Sequence, residues 1–406
     1  MAVKNGTPPF PVSALQLVPF DSVEDEFEQM WTVNHRQWGA PAGISKDIWV
    51  QAAKERAKLD YSTEGRYKTF MVTVKDDPSL PAIAFCGFYV RPAIVATRKP
   101  VAGKDGSTTS IETRVQDVLA ATLGSVICRE EYRGCGYGGW MVSQIWQYLL
   151  ASPVQFTFLY SDIGLYYTRY GWKKHRSELI ELIVNECNSP WIPSTTEASS
   201  ETQLSWDPIT DGNLNEVLDQ DASHLRDELA LKIEDSPEGT ALFAVLPEPR
   251  SVAWHRSREN FYLSHLHFDH PHPSTSTDRY GVVLSTERSS SGSSLNTLRF
   301  ITWVHEFRSN QLTIMRFRHG LDKDDNEAKR EALLLLQEAF HEARRWRLGR
   351  VVIWNPHPTL CAWTGQQVQE RTKGLANLGV CQSPNVAGQD RIPISNVEWI
   401  LNEYYP

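Results

Sequence analysis

After a loose tail over residues 1–14, the run Leu15-Gln16-Leu17-Val18 predicts a first strand, and helical stretches follow to about residue 58. Phe70–Val74 and Ile83–Val90 read as adjacent strands joined by a turn at Asp76-Asp77-Pro78. The polar stretch 98–110 predicts an exposed loop. A short apolar run, Val126-Ile127-Cys128, then gives way to a turn with glycines at 134, 136 and 138. Trp140, Met141, Val142, Ile145, Trp146, Leu149 and Leu150 follow at helical spacing, so the segment reads strand, glycine turn, helix. Phe156–Tyr160 is a second strand, Ser161-Asp162 can cap a short helix, and Leu179–Val184 is expected as the last strand of this half.

Residues 185–206, rich in Ser, Thr, Pro and Glu, read as a linker. Beyond it, Glu216–Leu231 and Trp254–Leu266 look helical, Thr240–Leu246 looks like a strand, and Ser285–Ser294 reads as a loop. The last third repeats the earlier layout: strands at Phe300–Val304 and Leu312–Phe317, an amphipathic helix at Glu327–Trp346, and a strand at Val351–Trp354. The corresponding turn holds one glycine only, in Arg316-Phe317-Arg318-His319-Gly320. The pattern predicts an α/β (α+β) protein with an N-terminal domain over 1–184, a linker over 185–206 and a C-terminal α/β domain over 207–406. The second domain is either a degenerate repeat of the first or an unrelated accessory domain.

Composition narrows the classes. A length of 406 residues suits two domains, and 41% hydrophobic with 22% charged residues suits a globular protein. A net charge of −8 argues against a general nucleic-acid binder and mildly favours a cationic substrate. Six cysteines without a CxxC pair suggest free thiols in a reducing compartment. No N-terminal run resembles a signal peptide and no stretch reaches membrane-spanning length, so a cytoplasmic protein without membrane partners is expected.

The glycine turn carries the candidate chemistry. Glycines let a ligand approach the backbone, and the first amides of a helix lack internal partners, which suits a diphosphate. The turn lacks the acidic residue of a dinucleotide fingerprint and the Gly-Lys-Ser/Thr ending of a P-loop. Its spelling, Arg133-Gly134-Cys135-Gly136-Tyr137-Gly138 after a strand, resembles the coenzyme A loop of the GCN5-related N-acetyltransferases (GNAT). Tyr166-Tyr167-Thr168-Arg169-Tyr170-Gly171-Trp172 is similar to that family's aromatic-Tyr-x-x-x-Gly-aromatic pattern. Read alone, these tyrosines would be core aromatics with Gly171 as a helix cap.

The resemblance implies a GNAT fold with a mixed central sheet flanked by helices, and acetyl-CoA as the acetyl donor. It implies that Arg133, Gly134, Cys135, Gly136, Tyr137 and Gly138 hold the diphosphate, and that Val126 and Cys128 pair with the pantetheine amides. It also implies that a backbone amide near Val126 meets the carbonyl oxygen and that Tyr167 protonates the departing thiolate. Leu159-Tyr160-Ser161-Asp162-Ile163-Gly164, with Trp254–Phe261 in the second half, resembles the fungal lysine N6-acetyltransferases of lysine degradation. That branch implies a small-molecule amine acceptor, free L-lysine first; a protein, a polyamine or a secondary-metabolite amine is the alternative, as is a catalytically weak coenzyme-binding module.

A lysine ε-amine, with a pKa near ~10.4, must lose a proton before it attacks. Some members of the superfamily place a glutamate eleven residues before the loop arginine, and Thr122 stands there instead. Asp117 is then the first choice of base, with Glu112, Asp162 or an ordered water as alternatives, and each carboxylate reads equally as a solvated strand end. One motif points elsewhere. His265-Leu266-His267-Phe268-Asp269-His270 has the spacing of a zinc hydrolase signature, with His265, His267, Asp269 and His270 as ligands. Its setting at the end of a helix, before Pro271, suits a His-rich helix end better.

Overall fold

The computed structural model describes residues 9–21, 25–77, 79–102, 109–184, 205–266, 278–285, 298–320, 326–381 and 396–400, with backbone alone over 99–102, 109–110 and at 285. Contacts divide the chain into two units, each assembled from separated segments. The first comprises Met1–His175, Leu229–Leu246 and Thr372–Leu401; the second comprises Arg176–Glu228, Pro247–Arg371 and Asn402–Pro406.

In the first unit β1 (Leu15–Phe20) is followed by α1 (Asp25–Asn34) and α2 (Lys46–Ala57). Next come β2 (Tyr67–Val74), β3 (Ala84–Ala102), β4 (Thr109–Cys128), α3 (Tyr137–Leu150), β5 (Val154–Ser161) and β6 (Lys173–Lys174). The second unit receives β7 (Glu178–Ile183), β8 (Ser205–Ile209) and the start of α4 (Leu214–Glu234). The chain then returns β9 (Thr240–Val245) to the first sheet. It continues through α5 (Pro249–His265), β10 (Gly281–Ser285), β11 (Phe300–Glu306), β12 (Gln311–Arg318), α6 (Asn326–Arg345), β13 (Arg350–Trp354), α7 (Pro358–Thr364) and β14 (Gln369–Glu370). Finally β15 (Leu375–Val380) and β16 (Asn396–Trp399) join the first sheet.

The first sheet runs β1-β2-β3-β4-β5-β15-β6, with β9 on the far half of β3 and β16 on β9. α3 covers one face, where Met141, Val142, Ile145 and Leu149 pack with Ala121, Leu123 and Leu159. On the opposite face α1 sets Phe27, Met30 and Val33 against Phe85 and Ile127. Further along, Ala120, Phe156 and Phe158 meet Phe243 and Trp399 there. Pro92 lies in the middle of β3 without breaking it. It stands where the neighbour of β3 changes from β2 to β9, so no ladder amide is required of it, and its carbonyl accepts the amide of Leu246.

Three expectations change. Residues 98–102 and 109–110 are strand rather than loop, because β3 and β4 stay in register from Gly87↔Gly124 to Ala102↔Thr109; only 103–108 lie outside the described residues. Leu179–Ile183 is a strand, but it pairs with β13 in the second sheet, where Ile180 and Leu182 are buried. The place beside β5 belongs to β15. Thr240–Val245 pairs with β3 instead of building the second sheet, and its run of small and apolar side chains is buried there. Most of the expected linker, 185–204, and most of the expected loop, 286–294, lie outside the described residues.

The second sheet runs β14-β7-β13-β12-β11-β10-β8. Its β12–α6–β13 crossover repeats β4–α3–β5: β12 and β13 pair in parallel only from Gln311↔Arg350 to Thr313↔Val352, and β12 is bulged between Arg316 and Ile314 opposite Thr302 and Trp303. Among the described residues no helix is long and apolar enough to cross a membrane.

Candidate active site

The central strands part. β4 and β5 pair in parallel from Leu119↔Val154 to Thr122↔Phe158 and no further. β4 continues for six residues with β3 on its other edge, and β5 continues with β15 on its own. A V opens between the edge of Leu123–Cys128 and that of Leu159–Ser161, leaving main-chain amides and carbonyls turned inward.

A bulge sits on the β4 arm. Phe85 pairs with Ile127 and Gly87 with Gly124, so Cys86 faces both Ser125 and Val126. Ser125 takes φ 51°, a left-handed conformation unusual for a non-glycine. The Tyr67 hydroxyl is hydrogen-bonded to the Ser125 side chain, and its ring fills the space over Gly87. Ring burial keeps that phenol protonated. The spacing of Tyr67, Gly87 and Ser125 in the sequence carries no signal of this arrangement.

The strand end is fastened before the turn begins. Arg129 donates its amide to the Ile83 carbonyl at 3.0 Å and its Nε to that of Ala82 at 2.6 Å. Arg133 folds back, donating Nε to the Cys128 carbonyl at 3.2 Å and Nη2 to Gln37 Oε1 at 3.3 Å. Gly134 and Gly136 then adopt φ of 81° and 84°. α3 starts at Tyr137, and its N-cap, Gly136, has no side chain with which to cap the first turn. Uncapped amides at the positive end of a helix, beside an exposed glycine turn, suit a diphosphate.

The predicted loop residues divide by role. Gly134, Gly136 and Arg133 are exposed, and Val126, Cys128, Cys135 and Gly138 are half-buried along the V and the turn. The ring of Tyr137 points into the core and its hydroxyl bonds the amide and carbonyl of Phe10, both at 2.9 Å, so only its backbone faces the turn. Burial pushes the Cys128 thiol up to about 11, so it stays protonated. The two glycines that open α3 serve a neighbour inside the protein: the hydroxyl of Tyr166 approaches Gly138, and that of Tyr170 fills the place of a Gly139 side chain.

Tyr167 lies in a 3-10 turn, Tyr166–Tyr170, that Gly171 ends at φ 111° with its open side against the Trp146 ring. Tyr167 is buried on the α3 face among Tyr166, Trp172 and Cys86. Burial raises its phenol well above the ordinary value, with Tyr166 and Cys86 adding to the effect. Cys86 is the residue opposite the bulge, so Tyr167 and the bulge share one neighbourhood.

Asp117 does not join this group. It is exposed, opposite Ile94, and nine residues before Val126 on the same strand, roughly 30 Å away at the rise of an extended chain. Glu112 is further still. Asp162, at the tip of β5, is exposed and accepts the amide of Gly374 at 2.9 Å. In the zinc motif, His267, Asp269 and His270 lie outside the described residues, and His265 donates Nδ1–H to the Phe261 carbonyl at 2.8 Å, as a helix-end histidine does.

The second unit repeats the parting of its central strands, β12 and β13; residues 321–325, where a turn would follow, lie outside the described residues. Arg316 and Arg318 on β12 are engaged by the buried Asp221, Arg318 also by Glu228, and the Arg299 guanidinium packs on Gly320. A family model described as the LYC1 GNAT-like C-terminal domain matches residues 191–406, more than half of the chain. The chain belongs to the LYC1 GNAT-like family. As a member of this family it is an N-acetyltransferase of the GCN5-related type. No curated protein matches the sequence.

Solved structures similar to this LYC1 GNAT-like chain include a probable N-acyltransferase from Enterococcus faecalis, with 9% identity, 91% of this chain and 73% of that chain covered, and a TM-score of 0.49. A GCN5-related N-acetyltransferase from Kribbella flavida has 13% identity, coverage of 91% and 72%, and a TM-score of 0.48. A tandem GNAT protein of clavulanic acid biosynthesis has 7% identity, coverage of 90% and 98%, and a TM-score of 0.42.

Proposed function

We propose that the chain transfers an acetyl group from acetyl-CoA to the side-chain amine of free L-lysine, by direct attack on the thioester at the V between β4 and β5. The observation that carries this reading is the end of β4–β5 pairing at Thr122↔Phe158, immediately before the bulge and the glycine turn. The open edge at Val126 and Cys128 matches the paired amides of a pantetheine arm, and Gly134, Gly136 and the first amides of α3 match a diphosphate. An amide of the bulge near Val126 is suited to the carbonyl oxygen as its charge grows. Tyr167, held protonated by burial, can give its proton to the thiolate. Lysine is favoured over other amines by the resemblance of Leu159–Gly164 and Trp254–Phe261 to the lysine N6-acetyltransferases, and by the acidic net charge.

The test is mass spectrometry of product after incubation with acetyl-CoA and a panel of amines that includes L-lysine, with EDTA present. N6-acetyl-lysine as the dominant product supports the reading and removes the zinc alternative. A different acetylated amine, or an acetylated protein, keeps the reaction and overturns the acceptor. Failure to bind acetyl-CoA overturns the placement of the site.

A further inference from the structure

Resting on the V as the site of acetyl transfer, we infer that Thr122 and the open space over Gly124 form the subsite for the attacking nitrogen, with Thr122 Oγ1 accepting a hydrogen bond from the amine. Thr122 is the last residue of β4 with a β5 partner, so its side chain stands at the apex of the V. It is 3% exposed, and its hydroxyl has no partner among the described residues. A buried hydroxyl left unbonded is costly, and unlike those of Thr73, Thr97 and Thr157 this one stands where the two central strands part.

Gly124 lies two residues on, hence on the same face, at the start of the open edge. A Cβ built there meets nothing within 4 Å, although the residue is only half-buried. One side of this space is walled by Tyr67, whose ring covers Gly87 opposite Gly124, and by Tyr89 stacked on it at 4.3 Å. Flat rings beside open space suit a primary amine on an unbranched methylene stem.

The faces also agree with the chemistry. Tyr89, Thr122 and Gly124 share the α1 face, and Tyr167 belongs to the α3 face. An amine held at Thr122 directs its lone pair at the carbonyl carbon from one side. As the C–N bond forms and the C–S bond breaks, Tyr167 protonates sulfur from the other. The proton lost by nitrogen leaves to water, and Tyr167 regains one from water. Thr122 orients the nucleophile and takes no proton, which accounts for a threonine where a base is absent.

The experiment compares Thr122→Val, Thr122→Ser and Gly124→Ala, each assayed with whichever panel amine the wild-type chain acetylates fastest. That choice separates this inference from the lysine reading, which fails if the fastest amine is not L-lysine. Thr122→Val keeps the branched shape and should lower kcat/KM for the amine about tenfold, the scale of one hydrogen bond lost in a buried site. Thr122→Ser should stay within about threefold of wild type. Gly124→Ala should raise the amine KM. Acetyl-CoA affinity by calorimetry should be unchanged in all three. Wild-type rates in Thr122→Val, or equal losses in the Val and Ser variants, overturn the inference.

Discussion

The hydroxyl of Tyr170 occupies the place where a side chain on Gly139 would stand. The first turn of α3 and the 3-10 turn that carries Tyr167 are therefore locked together by a missing methyl group. Gly139→Ala should destabilise the fold by about 1–3 kcal/mol, the usual range for overpacking, despite the better helix propensity of alanine. Tyr170→Phe removes the nearest atom, so the alanine should cost less in that background. Denaturant unfolding of the four-member cycle measures the difference.

Gly136 has open space around it, and its constraint is the backbone. At φ 84° an alanine is strained by about 1–2 kcal/mol with nothing to collide with. Gly136→Ala should relax the turn away from this conformation and weaken acetyl-CoA binding several-fold, read by calorimetry. Gly124→Ala, with a glycine of ordinary φ, is the control that should bind acetyl-CoA normally.

Burial holds the Tyr167 phenol well above its ordinary value of 10, so it is protonated throughout the range in which a protein is assayed. Tyr167→Phe should lower kcat tenfold or more and leave acetyl-CoA affinity unaltered. No alkaline limb below pH 10 should be traceable to this residue. Equal turnover in the variant removes Tyr167 from the reaction.

In the second unit His305 is fully enclosed between Glu259, 3.0 Å from Nδ1, and Glu342, 3.2 Å from Nε2. Burial opposes its charge, but the two carboxylates outweigh burial and raise it to about 9. The unfolded histidine releases its proton near 6.5, so between about 6.5 and 9 the folded state holds one proton more. The stability it contributes is full below that window and is lost as pH rises through it. His305→Gln should destabilise by a few kcal/mol at pH 6, the cost of removing the shared cation from two buried carboxylates, and the gap should narrow by pH 9.5. Urea unfolding at the two pH values checks this.

The local features were legible because they are written in adjacent residues. The glycine turn, the apolar stripe of α3, and the Tyr167 turn with its Gly171 terminator each follow from short-range spacing. Features that depend on partners far along the chain were not. Nothing in Leu179–Ile183 says that its ladder partner is Arg350–Trp354, and nothing in Leu375–Val380 says that it will lie beside β5. Asp117 looked usable because distance along a strand is invisible until the point where the strands part is known. The same ignorance hid Thr122: the sequence marks it as an unusual occupant, and only the register shows it at the apex of the V.

The late arrival of β15 bears on how the chain is made. The edge of β5 that β15 covers, from Phe156 to Ser161, is synthesised more than 200 residues before its partner. At ordinary ribosomal speeds that is roughly ten to forty seconds during which an apolar strand edge has no mate. Phe158 waits longer still for Trp399. An unpaired apolar strand edge of this kind is prone to wrong pairing, and β15 and β16 together act as the closing stitch of the first sheet.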